Sequence, residues 1–422
     1  MLPLSLNTLG IYVSVPFCRS KCTYCNFASG VHSPALYQQY ADRLCGEIAS
    51  LRRRAAEWGV EVPERVDSLY LGGGTPSLLP PHLLLQLGRA LRGEFDVLKT
   101  AEITLECAPG QLPDQVLEAM LEIGVNRVSF GVQSFVDREA AATGRLHTRA
   151  IALSDLRRVR RAGVRRVNVD LIAGLPYQTA ASWQESLNTL METEADHASV
   201  YMLEIDEDSR LGREMLAGGA RYHAAAAPSE EQTADFYVSA VAQLERMGLR
   251  QYEISNFARV GSESRHNCKY WRRQPYLGFG VDAHSFLQRV AAGALRLASA
   301  PSLDEYLAGA GGARELAELT PEEELEEAWF LGLRLREGVR WSWLAERYGG
   351  GSAEGSSRLA GQWRGRAPAL QPFLPVVVEL RRLGLLACQG DAVRLTRRGI
   401  LLSNEVFARF LGVAVGAAAG VA

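Results

Sequence analysis

Short apolar runs alternate with longer helical patterns along the first half of the chain. The runs are rich in β-branched residues and predict strands at residues 11–17, 68–74, 102–109, 127–134, 166–174 and 197–205. Helical periodicity falls between them, for example at residues 34–57, 81–92 and 149–162. Consecutive βα units of this kind predict an α/β fold built on a parallel sheet.

The predicted strands carry polar residues on one of their two faces. Side chains alternate in direction along a strand, so Ile103 and Leu105 share one face while Glu106 lies on the other. Gln133 and Asp170 occupy the corresponding face of two later strands. A parallel sheet covered by helices on both sides should instead be apolar on both faces. The pattern therefore favours a closed or partly closed barrel with a polar interior, whose site lies at the carboxyl ends of the strands.

The βα rhythm weakens after residue 205. A helix is predicted at residues 229–247, and two loops that contain residues 266–271 and 278–285 are expected to cover the barrel mouth. A helix-start signal at Thr320 opens a last unit. Its pattern predicts an α-rich, winged-helix-type domain with a helix at 375–383, strands at 385–388 and 392–395, a helix at 398–411 and a loop insertion at 349–372.

These patterns divide the chain into three parts. We expect a barrel core at residues 1–228, a barrel-covering region at residues 229–312 and a C-terminal domain at residues 313–422. No transmembrane segment is predicted, because the apolar run at residues 411–422 is shorter than the roughly 20 residues that a bilayer requires.

The charge balance argues against nucleic acid as a partner. The 422 residues include 46 Lys and Arg against 48 Asp and Glu, which gives a net charge of −2 at pH 7. No strongly basic surface is therefore expected to neutralise phosphates. Asn7 and Thr8 interrupt the apolar N-terminal stretch, so no secretory signal is predicted and a cytoplasmic location is expected.

Three of the seven cysteines lie in one short loop directly after the first predicted strand. An odd number of cysteines with this clustering favours metal ligation over disulfides. Cys18, Cys22 and Cys25 can hold a [4Fe–4S] cluster with one iron left open for the amino and carboxylate groups of S-adenosylmethionine. A zinc site normally has four ligands in paired spacing, and no second pair is nearby. Zinc or inert thiols are the less favoured alternatives.

A glycine-rich turn at residues 72–76 ends the second predicted strand. Residues without a Cβ atom let the backbone approach a ligand closely. Beside the cysteine loop, this turn is a candidate cradle for the amino group of S-adenosylmethionine, with Glu106 and Asp170 as acceptors. Arg145 is the candidate partner of its carboxylate. Each of these residues, taken singly, could serve a structural hydrogen bond instead.

Four motifs together resemble one known family. They are CxxxCxYC from Cys18, GGGTP from Gly72, the polar series that begins at Glu106, and HNxxYW from His266. Their combination is similar to the radical S-adenosylmethionine family of oxygen-independent coproporphyrinogen III oxidase and its heme-chaperone relatives. The resemblance extends over nearly the whole chain and implies an incomplete (β/α)6 TIM-like barrel. It also implies cofactor contacts at Tyr12, Gly73, Gly74, Thr75, Glu106, Gln133, Arg145 and Asp170.

Two departures separate the chain from the oxidase branch of this family. That branch has a fourth cysteine two positions after the third, where this chain has Phe27, and an extended N-terminal segment, where this chain has ten residues before Ile11. HNxxYW is a feature of the heme-chaperone branch and is associated there with heme binding. The motif is intact as His266, Asn267, Tyr270 and Trp271. An imidazole beside aromatic faces suits heme, which is flat, apolar and iron-bearing.

The resemblance therefore implies a carrier that binds heme and delivers it to apo-hemoproteins such as respiratory-chain enzymes, with peripheral association with a membrane allowed. The alternative is a radical enzyme that acts on a porphyrinogen or a related tetrapyrrole, because the cofactor series is complete. Cys268 and His284 are further candidate heme ligands. Cys45, Cys107 and Cys388 lie in helix or strand patterns and are interpreted as small core residues.

Overall fold

Six parallel strands form the centre of the structure, a computed structural model that describes residues 8–289, 293–309, 315–348 and 368–413. Each strand pairs in parallel with the next one along the chain. They are β1 (Leu9–Val15), β2 (Arg65–Gly73), β3 (Asp96–Cys107), β4 (Arg127–Gln133), β5 (Arg166–Ala173) and β6 (His197–Met202). Within the described residues β1 and β6 do not pair with each other, so the barrel is incomplete, as the sequence resemblance implied.

Further strands extend the sheet beyond both ends of the barrel. They are β7 (Arg250–Gln251), β8 (Asn256–Ala258), β9 (Tyr276–Phe279), β10 (His284–Gln288), β11 (Ala294–Ala298) and β12 (Glu315–Leu319). β9 pairs in parallel with β1, and β8 pairs antiparallel with β6. The expected loop at residues 278–285 is therefore partly strand. Gly278 allows this arrangement, because a Cβ atom there would lie 2.3 Å from the carbonyl oxygen of His284.

Helices alternate with the strands. They are α1 (Ala35–Ala49), α2 (Leu51–Trp58), α3 (Pro81–Glu94), α4 (Asp114–Glu122), α5 (Asp137–Ala142), α6 (Arg149–Arg161), α7 (Ala180–Glu192), α8 (Arg210–Leu216), α9 (Glu230–Arg246), α10 (Arg265–Trp271) and α11 (Leu303–Ala308). Side chains of Thr148, Thr179 and Ser229 accept N–H groups at the starts of α6, α7 and α9.

Two helix predictions for this part of the chain were wrong. The single helix expected at residues 34–57 is divided at Ser50, whose hydroxyl donates to the carbonyl oxygen of Glu47 at 2.9 Å and competes with the helical backbone. The expected loop at residues 266–271 is helix α10. Ser264 caps it by accepting the N–H of Asn267 at 3.3 Å, a start signal that is visible in the sequence.

The main apolar core lies on the outer side of the barrel strands. Ile103 and Leu105 belong to it, together with Leu84 of α3 and Met120 of α4. Glu106 lies on the other face of β3, as predicted from the alternation of residues. The barrel interior is therefore polar.

The C-terminal unit is of the winged-helix type, as predicted. Its elements are α12 (Pro321–Arg334), β13 (Val339–Arg340), α13 (Trp341–Tyr348), α14 (Phe373–Arg382), β14 (Leu386–Gln389), β15 (Ala392–Leu395), α15 (Arg397–Leu401) and α16 (Ser403–Ala408). The helix expected at residues 398–411 is divided, because Leu402 leaves helical geometry at φ −111° and ψ 33°. Most of the predicted insertion and the tail beyond residue 413 lie outside the described residues. In the described ranges, no helix is long and apolar enough to cross a membrane.

Trp329 lies at the centre of the aromatic packing in this unit. Its ring is fully buried, stacks on Phe373 and Phe410 at centroid distances of 6.0 and 5.1 Å, and meets Trp341 edge-on at 4.9 Å. We expect Trp329→Ala to lower the free energy of unfolding by about 3–5 kcal/mol in urea denaturation. The control Val378→Ala, at an exposed position of α14, should change it by less than about 0.5 kcal/mol. A similar effect of both substitutions would contradict this assignment of the core.

Candidate functional site

The cysteine loop leaves the carboxyl end of β1 and returns to it. The N–H of Cys18 donates to the carbonyl oxygen of Gly30 at 2.8 Å, and the N–H of Gly30 donates to that of Pro16 at 2.9 Å. Inside the loop, Lys21 Nζ donates to the carbonyl oxygen of Phe27 at 2.6 Å. These bonds close the loop and hold its three cysteines at the barrel mouth.

The three thiols of this loop are free. Cys22 is buried, and Cys18 and Cys25 are half-buried. Arg145 Nη1 donates to Cys22 Sγ at 3.6 Å. Burial raises the pKa of the Cys18 thiol, while a hydrogen bond with Ser29 lowers it. A guanidinium and a hydroxyl beside thiols can stabilise thiolates, the form that binds iron.

The three thiols of the loop can each bind a different iron of one cluster. Among the described residues, no three His, Cys, Asp or Glu side chains converge as ligands of a single metal ion. A cubane does not require such convergence, because each thiolate binds a different iron. Three free thiols on one closed loop beside a donor cation therefore fit a [4Fe–4S] cluster.

Glu106 lies near the end of β3 and faces the interior. The Tyr70 hydroxyl donates to its Oε1 at 2.7 Å, and the N–H of Gly73 donates to its Oε2 at 3.1 Å. The pKa of Glu106 is raised to about 7, because burial and the charge of Asp170 outweigh the opposing effect of the two donors. Glu106 is therefore an acceptor whose charge changes near neutral pH.

Asp170 lies opposite Gly131 in the register of β4 and β5. Its oxygens accept from Asn168 Nδ2 at 2.7 Å and from the Ser129 hydroxyl at 3.2 Å. Burial raises the pKa of Asp170, and these hydrogen bonds and the Arg145 charge lower it. Arg145 Nη2 also donates to the carbonyl oxygen of Gly131. One guanidinium therefore connects the cysteine loop with the carboxylate side of the cavity.

Gly73 and Gly74 in the glycine turn occupy positions that leave no room for a side chain. Gly73 has φ +98°, and a Cβ atom there would lie 3.1 Å from Ser14 Oγ and 3.4 Å from the Tyr12 hydroxyl. A Cβ atom at Gly74 would lie 2.6 Å from the carbonyl oxygen of Phe17. The turn thus brings bare backbone to the edge of the cavity, as a cradle for a ligand requires.

Two buried polar side chains beside the cysteine loop and the carboxylates have atoms without partners. Gln133 Oε1 and Arg145 Nε are buried and have no hydrogen-bond partner among the described residues. Gln133 also has φ 69°, a conformation that costs about 1–3 kcal/mol for a residue other than glycine. The buried Thr75 donates its N–H to Phe17 at 2.8 Å. Because buried polar groups normally have partners, these residues fit a polar ligand such as S-adenosylmethionine.

The hexapeptide does not lie at the mouth, contrary to expectation. Arg265 donates to the carbonyl oxygens of Asp67 at 3.2 Å and Thr100 at 3.1 Å, near the starts of β2 and β3. Glu102 Oε1 accepts the backbone N–H groups of Arg265 at 2.8 Å and His266 at 3.3 Å. Helix α10 therefore closes the barrel at the amino ends of its strands, where its polar groups find partners.

His266 is buried and uses both ring nitrogens. Nδ1 lies 3.1 Å from Ser68 Oγ, and Nε2 lies 2.7 Å from the Tyr270 hydroxyl. Its ring packs on Tyr12 and Tyr70, with centroids 6.3 and 5.4 Å away. Burial, and to a smaller extent the charge of Lys269, lower the pKa of His266 to about 3. The imidazole is neutral, and iron could bind it only after one of these hydrogen bonds breaks.

The other motif residues occupy different surroundings. Asn267 is half-buried at the start of α10, and the Tyr270 ring meets Tyr276 edge-on at 4.5 Å. The Trp271 ring lies under the guanidinium of Arg334, 4.2 Å from ring centroid to Cζ. The second half of the motif thus contacts the C-terminal unit.

The remaining cysteines and the second histidine are dispersed. Cys107 and Cys268 are buried, Cys45 and Cys388 are half-buried against the core, and His284 is exposed on β10. Cys107 is a core residue, as predicted. Cys45 and Cys388 also pack against the core, but they are only partly buried.

A buried chain of hydrogen bonds was not predicted from the sequence. His197 Nδ1 lies 2.6 Å from Asn168 Oδ1, and His197 Nε2 lies 2.9 Å from the Tyr252 hydroxyl. The same hydroxyl accepts the N–H of Ser264 at 3.2 Å. The chain connects the partner of Asp170 with the start of α10. Its sequence signal is weak, since a lone histidine in a strand is usually a core residue.

A continuous set of contacts joins the predicted cofactor residues. Tyr12 stacks on Tyr70 at 5.9 Å, Tyr70 donates to Glu106, and a Cβ atom at Gly131 would lie about equally close to Arg145 and Gln133, at 3.0 and 3.1 Å. The structure therefore brings together in the barrel, beside the cysteine loop, the residues Tyr12, Gly73, Gly74, Thr75, Glu106, Gln133, Arg145 and Asp170.

Comparisons with known proteins agree with this geometry. Residues 12–190 match the radical SAM superfamily. The fold is similar to that of coproporphyrinogen III oxidase (HemN) from Escherichia coli, with a TM-score of 0.77 and 24% identity over 96% of this chain and 90% of that one. The fold and the cysteine loop thus define a radical SAM protein, a class that implies a [4Fe–4S] cluster and S-adenosylmethionine.

Sequence comparison with individual relatives identifies the family within this class. Heme chaperone HemW of Bacillus subtilis is 34% identical over 95% of this chain and 98% of its own. HemW of Mycobacterium tuberculosis is 31% identical over 97% and 96% of the two chains. The mitochondrial radical S-adenosyl methionine domain-containing protein 1 of Bos taurus is 36% identical over 78% and 74%. The chain belongs to the HemW family.

The cluster assignment can be tested by substitution. Anaerobically reconstituted protein should hold about four irons and four sulfides per chain, with a broad absorption that air bleaches. Replacing Cys18, Cys22 or Cys25 with Ala should abolish both, because a thiolate ligand is lost. Cys45→Ala and Cys388→Ala are matched controls. Loss of iron in either control would contradict the ligand assignment.

The raised pKa of Glu106 predicts a pH dependence. Its carboxylate is the predicted acceptor for the amino group of S-adenosylmethionine, and it is ionised mainly above about pH 7. The affinity of cluster-loaded protein for S-adenosylmethionine should therefore rise by up to about tenfold between roughly pH 6 and pH 8. Equilibrium dialysis measures this affinity. Glu106→Gln is the control, because titration of the ligand itself affects both proteins alike. An equal pH dependence in both would show that Glu106 does not contact the ligand.

Proposed function

We propose that this chain is a heme chaperone that binds heme and transfers it to apo-hemoproteins, carrying a [4Fe–4S] cluster on Cys18, Cys22 and Cys25 with S-adenosylmethionine beside it. HemW relatives that match nearly the full chain support this proposal. Phe27 is the observation that favours a carrier over the oxidase. The oxidase branch has a cysteine at this position, whereas this chain has an aromatic ring that is 62% exposed.

The cavity residues bind and orient the cofactor in this proposal. When bound, the cluster and S-adenosylmethionine supply one-electron chemistry. Glu106 and Asp170 accept from the amino group of the ligand, and Arg145 pairs with its carboxylate. The side-chain oxygen of Gln133, which has no partner among the described residues, accepts a hydrogen bond from the ligand. The glycine turn lets the ligand reach the cysteine loop. Because Arg145 also contacts Cys22, ligand binding and the cluster loop affect each other.

The surroundings of the mouth suit an apolar ligand. Phe27 and Val31 in the cysteine loop and Leu216 on α8 are exposed by 62%, 64% and 64%. Helix α8 contacts the loop directly, since the N–H of Leu211 donates to the carbonyl oxygen of Thr23 at 2.8 Å. Heme is a flat apolar ring, and exposed apolar groups of this kind mark binding surfaces.

The wider proposal covers partners, location and organisation. We infer that apo-hemoproteins such as respiratory-chain enzymes receive the heme, in the cytoplasm and with peripheral membrane association allowed. The division at residues 1–228, 229–312 and 313–422 stays part of this proposal. Heme contacts at the hexapeptide of His266 also stay a prediction, one that requires His266 to release a hydrogen bond.

Heme binding and the absence of oxidase activity form the test. Titration of the anaerobic, cluster-loaded full chain with hemin should give a saturable Soret band, and the heme should then pass to apo-myoglobin. The same protein should not decarboxylate coproporphyrinogen III with S-adenosylmethionine and a reductant, because Phe27 replaces the oxidase's cysteine.

Two outcomes would contradict the heme-carrier function. Turnover of coproporphyrinogen III at about 0.01 per second or faster, still far below a typical enzyme rate, would establish the radical enzyme instead. Absence of saturable hemin binding by the wild-type chain would remove the carrier function altogether.

A further inference from the structure

A strained aromatic segment follows α8. Tyr222 and His223 are consecutive residues with φ of 55° and 62°, and Tyr177, which contacts His223, has φ 69°. The left-handed region is unfavourable for residues with bulky side chains. Three aromatic residues in this conformation at one place require a surrounding structure that holds them there, which is a frequent property of binding sites.

His223 is exposed and oriented by a single hydrogen bond. Its Nδ1 lies 2.9 Å from the Tyr177 hydroxyl, and the two ring centroids are 5.2 Å apart. Its Nε2 has no hydrogen-bond partner among the residues that the structure describes. In the tautomer in which Nδ1 donates its proton to the phenol oxygen, one of the two that this contact allows, Nε2 carries a free lone pair. Histidines that bind metals are commonly oriented by such a second hydrogen bond.

Arginine side chains lie on the two tyrosine rings. The Arg138 guanidinium lies over Tyr177, 3.8 Å from Cζ to the ring centroid. Arg210 and Arg221 lie at 5.4 and 5.8 Å from the Tyr222 centroid. A guanidinium binds a carboxylate through two parallel hydrogen bonds, and an aromatic ring stacks on a flat apolar ligand. The cluster therefore combines an iron ligand, an apolar face and partners for carboxylates.

The segment is attached to the cysteine loop. Arg210 Nη2 donates to the carbonyl oxygen of Lys21, which lies between Cys18 and Cys22, and the same guanidinium contacts Tyr222. The exposed Leu216 lies on the helix that carries Arg210. A ligand on His223 would therefore lie beside the mouth of the barrel, on the side where the cluster loop is exposed.

We propose that His223 is the axial ligand of the heme that this chain carries, that the Tyr222 ring contacts the porphyrin, and that Arg138, Arg210 and Arg221 supply partners for its propionates. This inference rests on the proposed heme-carrier function and names its site. Both ring nitrogens of the buried His266 are engaged, whereas Nε2 of the exposed His223 has no partner among the described residues and is accessible to iron.

Substitution of His223 in the full chain tests the ligand. Asn tolerates the left-handed conformation and does not replace imidazole as a ligand, so His223→Asn removes the ligand with little effect on the backbone. We expect it to shift the Soret band and to weaken hemin binding by more than about tenfold, a loss typical even of groups that only orient a metal ligand. Added imidazole should restore the wild-type band. His82→Asn, at an exposed histidine of α3, should bind hemin like the wild type.

The propionate contacts have a separate test. Arg221→Gln should weaken binding of hemin but leave binding of hemin dimethyl ester unchanged, because the ester lacks the carboxylates. Equal effects on the two ligands would overturn the role of the arginine.

The outcomes distinguish this inference from the proposed function. A wild-type chain that binds no hemin removes both. A wild-type chain that binds hemin, together with a His223→Asn variant of equal affinity and equal Soret band, overturns only the ligand assignment and leaves the carrier function in place.

Discussion

A buried polar interior is the constraint on which the barrel depends. One face of each central strand turns inward, and an unpaired polar group there costs about 1–3 kcal/mol. At the amino ends of the strands α10 supplies the partners, for example through Glu102, which accepts N–H groups of Arg265 and His266. At the carboxyl ends, atoms such as Gln133 Oε1 stay unpaired among the described residues. The same polar face therefore closes the barrel at one end and offers a ligand site at the other.

The two ends are physically connected. The Tyr70 ring lies 5.4 Å from the His266 ring, and its hydroxyl donates to Glu106. A second path leads from the start of α10 through Tyr252, His197 and Asn168 toward Asp170. The hexapeptide and the start of α10 thus contact residues that lead to the hydrogen-bond partners of Glu106 and Asp170. This role explains its burial without requiring that it contact heme.

The C-terminal unit is held against the barrel by buried charge. Arg273 follows the hexapeptide and forms ion pairs with Glu324 at 3.3 Å and Glu327 at 3.1 Å, while its guanidinium lies 4.9 Å from the Phe286 ring centroid. A buried guanidinium is tolerated only with such partners. The winged-helix-type unit therefore packs on the residues that immediately follow α10, and Arg334 extends the contact to Trp271.

The parallel barrel and its polar interior could be predicted from the sequence, because strand alternation acts over a few neighbouring residues, whereas most of the proposed cofactor contacts came from the family resemblance. Other features required the tertiary structure. No local signal shows that His266 is buried with both nitrogens engaged or that His223 is exposed beside Tyr177. The sequence by itself determined which residues could bind a cofactor. The tertiary structure alone decided which histidine is free and which end of the barrel α10 closes, because both depend on contacts between residues far apart in the chain.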